Sequence, residues 1–270
     1  MAPGLLSQEA GAPPPGTDLM LVKTINYIIL AGVKPPASNR EVFAPRRAPA
    51  LSVVPCAAKV SMIKIAEMQQ KILTMLELQD AMNRKVNPDW REAGYPWYRA
   101  IWTECAEMLD HYGWKWWKHQ KPDMQQVHLE IIDIWHFALS DLLLRNESPE
   151  AAVEPILAGL RRGMAAVDVR EAIEQLALVT LQTRSADIEC FARLMGAAGL
   201  GLDELFKTYV GKNVLNFFRQ DHGYKQGSYV KIWQGREDNE HLAEILAVLD
   251  ADNPGFNDEV YRRLEYAYPG

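Results

Sequence analysis

An all-α fold is what this 270-residue chain predicts, and three observations carry the prediction. From Ser61 onward, apolar residues recur at i, i+3, i+4 and i+7, the spacing of a helix with one buried face. Alternating strand patterns are nearly absent, and no repeat of fixed period replaces them. Pro, Gly, Asp and Asn stand where the periodic stretches begin and end, as helix termini require.

Residues 1–60 are rich in Pro, Ala and Gly and show no sustained period, so they read as a disordered extension ahead of one all-α domain over 61–270. Met1–Met20 lacks the basic segment and apolar run of a secretory signal. The expectation is a cytoplasmic protein. Lys23, Arg40, Arg46, Arg47 and Lys59, with few acids among them, leave organelle targeting open. The first helix runs from an N-cap at Ser61 through Ile65, Met68, Ile72, Met75 and Leu76 to Asn87-Pro88. Gln79 and Asn83 lie one turn apart near its end; they are either a polar surface patch, which spacing favours, or hydrogen-bonding readers of a base.

A second helix spans Pro96 to His111, with Pro in its first turn and Gly113 as its stop. The loop from Gly113 to Pro122 is basic and aromatic; Trp114, Trp116 and Trp117, interleaved with Lys115 and Lys118, are placed to flank a ligand. Trp102 and Trp135 are expected in the core. Asp123 caps a third helix reaching Arg145. Helices over Glu150–Arg162, Ala165–Arg184 and Ala186–Ala198 follow as packing elements. Asp203 caps a longer helix to Arg219; Glu237–Leu249 is the last clear one, and 253–270 is helical only in part.

The hydrophobic content of 48% and charged content of 24% are those of an ordinary globular protein. A net charge of −6 argues against a nucleic-acid partner. No run approaches the roughly 20 apolar residues that cross a bilayer. Cys56, Cys105 and Cys190 have no metal-ligand spacing and read as free buried thiols; Cys105 points about 100° away from its acidic neighbours.

Chemistry is concentrated in residues 97–137. Glu104/Glu107 and Glu130/Asp133 are each spaced i, i+3, so both carboxylates of a pair share a helix face. Like charges at that spacing repel, and both pairs sit among Trp, Ile, Leu and Met. Four acids on two largely buried helices call for cations, and hard oxygen ligands suit Mg²⁺. Farther on, Lys212, Asn216 and Arg219 fall at i, i+4, i+7 on one helix face, followed by a Gly-flanked loop with Tyr224, Lys225 and Lys231. Such a face can grip a chain of phosphates. Carboxylate-held Mg²⁺ opposed by basic side chains makes the components of phosphoryl or nucleotidyl chemistry. A Walker loop is absent, which excludes a P-loop ATPase, and nothing signals covalent catalysis.

At these residues the sequence resembles the dimeric all-α dUTPases of the all-α NTP pyrophosphatase superfamily. The blocks LQDAMN (78–83), ECAE (104–107), GWKWWK (113–118), EIIDIWHF (130–137), KNVLNFFRQDHGYKQGSYVK (212–231) and EDN (237–239) occur in order. The resemblance implies a homodimeric helical bundle that hydrolyses dUTP, and dUDP, to dUMP by water attack on the α-phosphate, with two or more Mg²⁺ ions. That reaction limits uracil in DNA and supplies dUMP for dTMP synthesis. By the same resemblance, Glu104, Glu107, Glu130 and Asp133 would hold the metal, and Glu104 or Glu107, Glu104 by preference, would orient the water. Gln79, Asn83 and Trp116 would line a uracil pocket and His136 would meet the deoxyribose. Lys118, Lys212, Asn216, Arg219, Tyr224, Lys225 and Lys231 would hold phosphates. Residues 147–185 correspond to the variable part of such proteins. A pyrophosphatase for dCTP or a non-standard nucleotide, and a nucleotide-binding protein without turnover, are the competing expectations.

Overall fold

The computed structural model describes residues 56–163 and 167–269, with side chains from Lys64 onward. Among them nine helices and one two-residue hairpin form the fold. In order these are α1 (Cys56–Val86), α2 (Trp97–Tyr112), α3 (Met124–Arg145), α4 (Pro149–Arg162), α5 (Val169–Thr183), α6 (Ile188–Ala197) and α7 (Leu202–Asp221), then β1 (Ile232–Trp233), β2 (Arg236–Glu237), α8 (Asp238–Ala247) and α9 (Phe256–Ala267). The all-α expectation holds.

The axis of the fold is α3. Apolar residues surround it on all sides, and it is buried over most of the stretch from Val127 to Leu143, as a helix without a wet face must be. The densest packing is of α2 against α3; α1 and α7 lie on α3 and on each other. Trp135 anchors this core, its ring stacked on Phe191 of α6 at 4.7 Å. The pair α4 and α5 reaches the bundle through α1 and α2, and α6 joins the two. Gly211 lets α8 lie close on α7, because a Cβ there would stand 2.6 Å from the Leu246 side chain.

Helix starts follow the polar signals of the sequence. Asp123 accepts from Gln126 N at 3.2 Å, and Ser148, Asp168 and Asp187 cap α4, α5 and α6 in the same way. Glu237 and Glu240 close a capping box at the start of α8. Gly113 ends α2 at φ +92°, open to glycine and costly to other residues.

Several expectations are corrected. The first helix begins at Cys56, ahead of Ser61, because Cys-Ala-Ala-Lys-Val is itself helix-compatible; the rest of the expected extension lies outside the described residues. The fifth helix starts at Val169 behind its Asp168 cap and not at Ala165, which lies outside the described residues. Asp203 is not the cap of α7, which is Gly201; it sits in the first turn, where the helix dipole favours an anion. The β1–β2 hairpin was not expected; Gln234 and Gly235, at φ +51° and +82°, make its two-residue turn. Trp102 is 38% exposed and no core residue, because on α2 the buried stripe runs through Ile101, Cys105 and Met108. Cys105 and Cys190 are buried and free. No helix of the described residues is long and apolar enough to cross a membrane.

Candidate functional site

A cavity of about 870 Å³ opens where α1, α2, α3 and α7 meet, the size of a nucleotide-scale ligand site. One wall is acidic. The i, i+3 spacing of Glu104 and Glu107 on α2 aims both at α3, where Glu130 faces them; carboxylate oxygens of the three lie within 4.8 Å of one another. The acids are less uniformly buried than the sequence suggests: Glu130 is buried, Glu104 half-buried and Glu107 exposed. Burial, and then the Asp133 charge, push Glu104 up to about 8 and Glu130 up to about 7. Such crowding resists ionisation until positive charge arrives. His111 approaches Glu130 at 3.4 Å from the rim.

Asp133 lines the same cavity but stands apart from the three-acid cluster. Its carboxylate accepts from Lys212 Nζ at 3.0 Å, giving the buried ammonium of α7 an anion. The oxygen donors of Glu104, Glu107 and Glu130, within 4.8 Å of one another, make a hard donor set that fits a divalent cation. Asp133 adds a fourth carboxylate on the adjacent turn.

The opposite wall is basic. Lys212, Asn216 and Arg219 all line the cavity, as their single-face spacing predicts, together with Tyr224 and Lys231. Arg219 is clamped from behind: Asp238, at the start of α8, accepts from its Nε and Nη2 at 2.8 Å each, and Asn216 Oδ1 accepts from its Nη1 at 3.1 Å. Burial, the largest single cause, works against the Arg219 charge, but the Asp238 hydrogen bonds and the neighbouring negative charges together outweigh it and hold its pKa above the usual arginine value. Lys231 is paired with Glu237 at 3.1 Å.

The floor is a buried amide network. Gln79 and Asn83 are only 5% and 7% exposed, so the surface-patch reading of this pair is wrong. Gln79 Nε2 donates to Asn83 Oδ1 at 2.9 Å, and Asn83 Nδ2 donates to Ser140 Oγ at 3.0 Å. Gln79 Oε1 meets His136 Nδ1 at 2.8 Å and the Tyr209 hydroxyl at 3.0 Å. Burial, the largest cause, lowers the His136 pKa to about 4, so the ring is neutral and Nδ1 carries the proton that Gln79 accepts. The other ring nitrogen, Nε2, is then a buried acceptor without a partner. It asks for a ligand hydroxyl.

Not every expected residue reaches the cavity. Trp116 is 88% exposed, edge-on to Trp117, and Lys118 is exposed on the same loop; neither lines the cavity, because the α2–α3 connection projects outward after Gly113. Lys225 points away and donates to Val86 O at 3.2 Å. Their place is taken by aromatic residues that sequence reasoning did not single out: Trp90, Trp97, Tyr95 and Phe137. The buried indole N–H groups of Trp90 and Trp97 are also unpartnered. A readable signal existed, since Phe137 follows His136 directly and the two tryptophans flank the start of α2. Tyr209 and Ser140 gave none, and Asp238 gave only its place in the EDN block.

A family model described as dUTPase matches residues 71–224. That span holds the four carboxylates, the buried amides, His136 and the Lys212–Arg219 face. No curated protein matches the chain.

Proposed function

Because the chain belongs to the all-α dUTPase family, we propose that this cavity hydrolyses dUTP, and dUDP, to dUMP with Mg²⁺ held by Glu104, Glu107, Glu130 and Asp133. One observation carries the proposal: the carboxylate cluster and the Lys212/Asn216/Arg219 face oppose each other across a single cavity whose floor is a buried amide pair. When bound, Mg²⁺ neutralises phosphate charge and makes a coordinated water more acidic.

The side chains divide the remaining work. Lys212, Asn216, Arg219, Tyr224 and Lys231 are placed to hold phosphate oxygens, Arg219 with a planar fork already oriented by Asp238. Gln79 and Asn83 read the base edge, and His136 Nε2 accepts from the sugar hydroxyl. Glu104, whose carboxylate faces Glu107 and Glu130 on the acidic wall, orients the attacking water and takes its proton. The water oxygen bonds to the α-phosphorus, and the α–β bridging P–O bond breaks. Pyrophosphate leaves with the bonding electrons, or phosphate when the substrate is dUDP. The released dUMP is a precursor for dTMP, and removal of dUTP keeps uracil out of DNA.

The proposal includes a homodimer, which light scattering on the purified protein tests directly. For the reaction, dUTP, dUDP, dCTP, dTTP and UTP are each incubated with Mg²⁺ and the products identified. Turnover of dUTP to dUMP and pyrophosphate, with dUDP next and the others slow, is expected. Absence of dUTP turnover, or faster turnover of another base, refutes it.

A further inference from the structure

The polarity of the buried amide network is set at one end, by Ser140. This residue lies on α3 one turn after His136 and has no solvent exposure. Its hydroxyl has one proton and two acceptors nearby, the His136 carbonyl at 2.9 Å and Asn83 Oδ1 at 3.4 Å. The nearer one takes the proton, in the i to i−4 bond that serine makes within helices. Ser140 Oγ is then left only as an acceptor, so the Asn83 atom 3.0 Å away must be Nδ2. Asn83 therefore turns its Oδ1 to Gln79, whose Nε2 donates to it at 2.9 Å. Gln79 in turn presents Oε1 to His136 Nδ1 at 2.8 Å and to the Tyr209 hydroxyl at 3.0 Å, whose one proton also has the Met75 carbonyl at 2.9 Å. With the Ser140 proton on the His136 carbonyl, Asn83 has one orientation, and reversing Asn83 or Gln79 alone sets donor against donor or acceptor against acceptor.

We infer that Ser140 is a positioning residue for base selection, which fixes the Asn83 and Gln79 amides so that the cavity takes a uracil-type edge and rejects a cytosine-type edge. The inference rests on the dUTP reading above. After its internal bonds, Asn83 keeps one lone pair on Oδ1 and one N–H on Nδ2 for a ligand, and Gln79 keeps one N–H. Uracil presents N3–H beside the O4 carbonyl, so Oδ1 accepts from the first and Nδ2 donates to the second. Cytosine presents a lone pair at N3 and an amino group at position 4, which sets acceptor against acceptor and donor against donor. An amide turned over would suit cytosine and not uracil. Orientation selects the base, not residue type, and buried mismatched groups discriminate strongly.

The test compares kcat/KM for dUTP and dCTP in the wild type and in Ser140→Ala, Ser140→Cys and Ser140→Thr, each with Mg²⁺. The wild type prefers dUTP. In Ser140→Ala the preference narrows at least about tenfold, through a higher KM for dUTP and faster use of dCTP, the size of one lost fixed hydrogen bond. Ser140→Thr, which keeps the hydroxyl, restores it. Should Ser140→Ala fail to fold by circular dichroism, Ser140→Cys carries the same expectation, since sulfur of similar volume is a weak acceptor. Equal losses on both substrates, leaving the ratio unchanged in a wild type that prefers dUTP, overturn the role of Ser140 alone. A wild type without dUTP turnover overturns the underlying function instead.

Discussion

Asp238→Asn is the perturbation whose size the structure defines most closely. Asp238 is fully buried and accepts three hydrogen bonds, two from Arg219 at 2.8 Å each and one from the Tyr229 hydroxyl at 2.8 Å. The Arg219 side chain is only 13% exposed, so its charge depends on this partner. Asparagine keeps the shape but removes the anion, and in either orientation its amide nitrogen meets a guanidinium N–H, Nη2 at one oxygen position and Nε at the other. Breaking a buried pair from one side costs about 3–5 kcal/mol. At roughly 2–4 °C per kcal/mol for a domain of this size, the melting temperature falls by about 6–20 °C. Because Asp238 opens α8, the lost interaction with the helix dipole adds to the loss. Thermal unfolding by circular dichroism reads the first effect. Steady-state kinetics read the second: Arg219 loses its fixed orientation, and KM for dUTP rises about tenfold or more, the equivalent of ~1.4 kcal/mol. A loss below about 1 kcal/mol with unchanged KM would refute the clamp, since it would place the pair among those of little net worth.

Two further predictions concern the metal wall and the core. Glu104 and Glu130 have pKa values raised above the ordinary 4.5, to about 8 and about 7, so the native metal-free chain holds protons that the unfolded chain releases. That contribution is complete below pH 4.5 and is lost as pH rises through 7 and 8. In EDTA the melting temperature should therefore fall between about pH 6 and about pH 8, and Mg²⁺ should raise it more at the higher pH; a rise in EDTA, or no response to Mg²⁺ at either pH, would contradict the acidic cluster. Trp135→Ala should cost about 3–5 kcal/mol in denaturant unfolding, because it empties the stacked contact with Phe191 at zero exposure. Trp116→Ala, at 88% exposure, should change it by less than about 0.5 kcal/mol, and equal losses in the two variants would overturn the placement of both rings.

What the sequence made legible follows from periodicity. The i, i+3 spacing of Glu104/Glu107 and the i, i+4, i+7 spacing of Lys212, Asn216 and Arg219 each define a helix face, and the faces meet at one cavity. The cap at Asp123 was readable because it is a local hydrogen bond. What was not legible depends on contacts between distant residues. Gln79 looks like a surface amide until Tyr209 and His136 are brought to it across the bundle. Ser140 and Asp238 do not line the cavity and meet it only through Asn83 and Arg219, contacts that local spacing does not show. Trp102 and Trp116 show the limit of reading tryptophan by type: the first is on the wet side of α2, the second on an outward loop.

The most direct test of the account pairs wild type with Glu107→Ala in one assay of dUTP hydrolysis over a Mg²⁺ titration. Glu107 is exposed and belongs to the three-carboxylate cluster, so its loss spares the fold. The expected result is Mg²⁺-dependent release of dUMP and pyrophosphate by the wild type, and a fall of at least about a hundredfold in a Glu107→Ala variant with an unchanged helical spectrum. Wild-type rates that ignore Mg²⁺, or full activity in the variant, would contradict it.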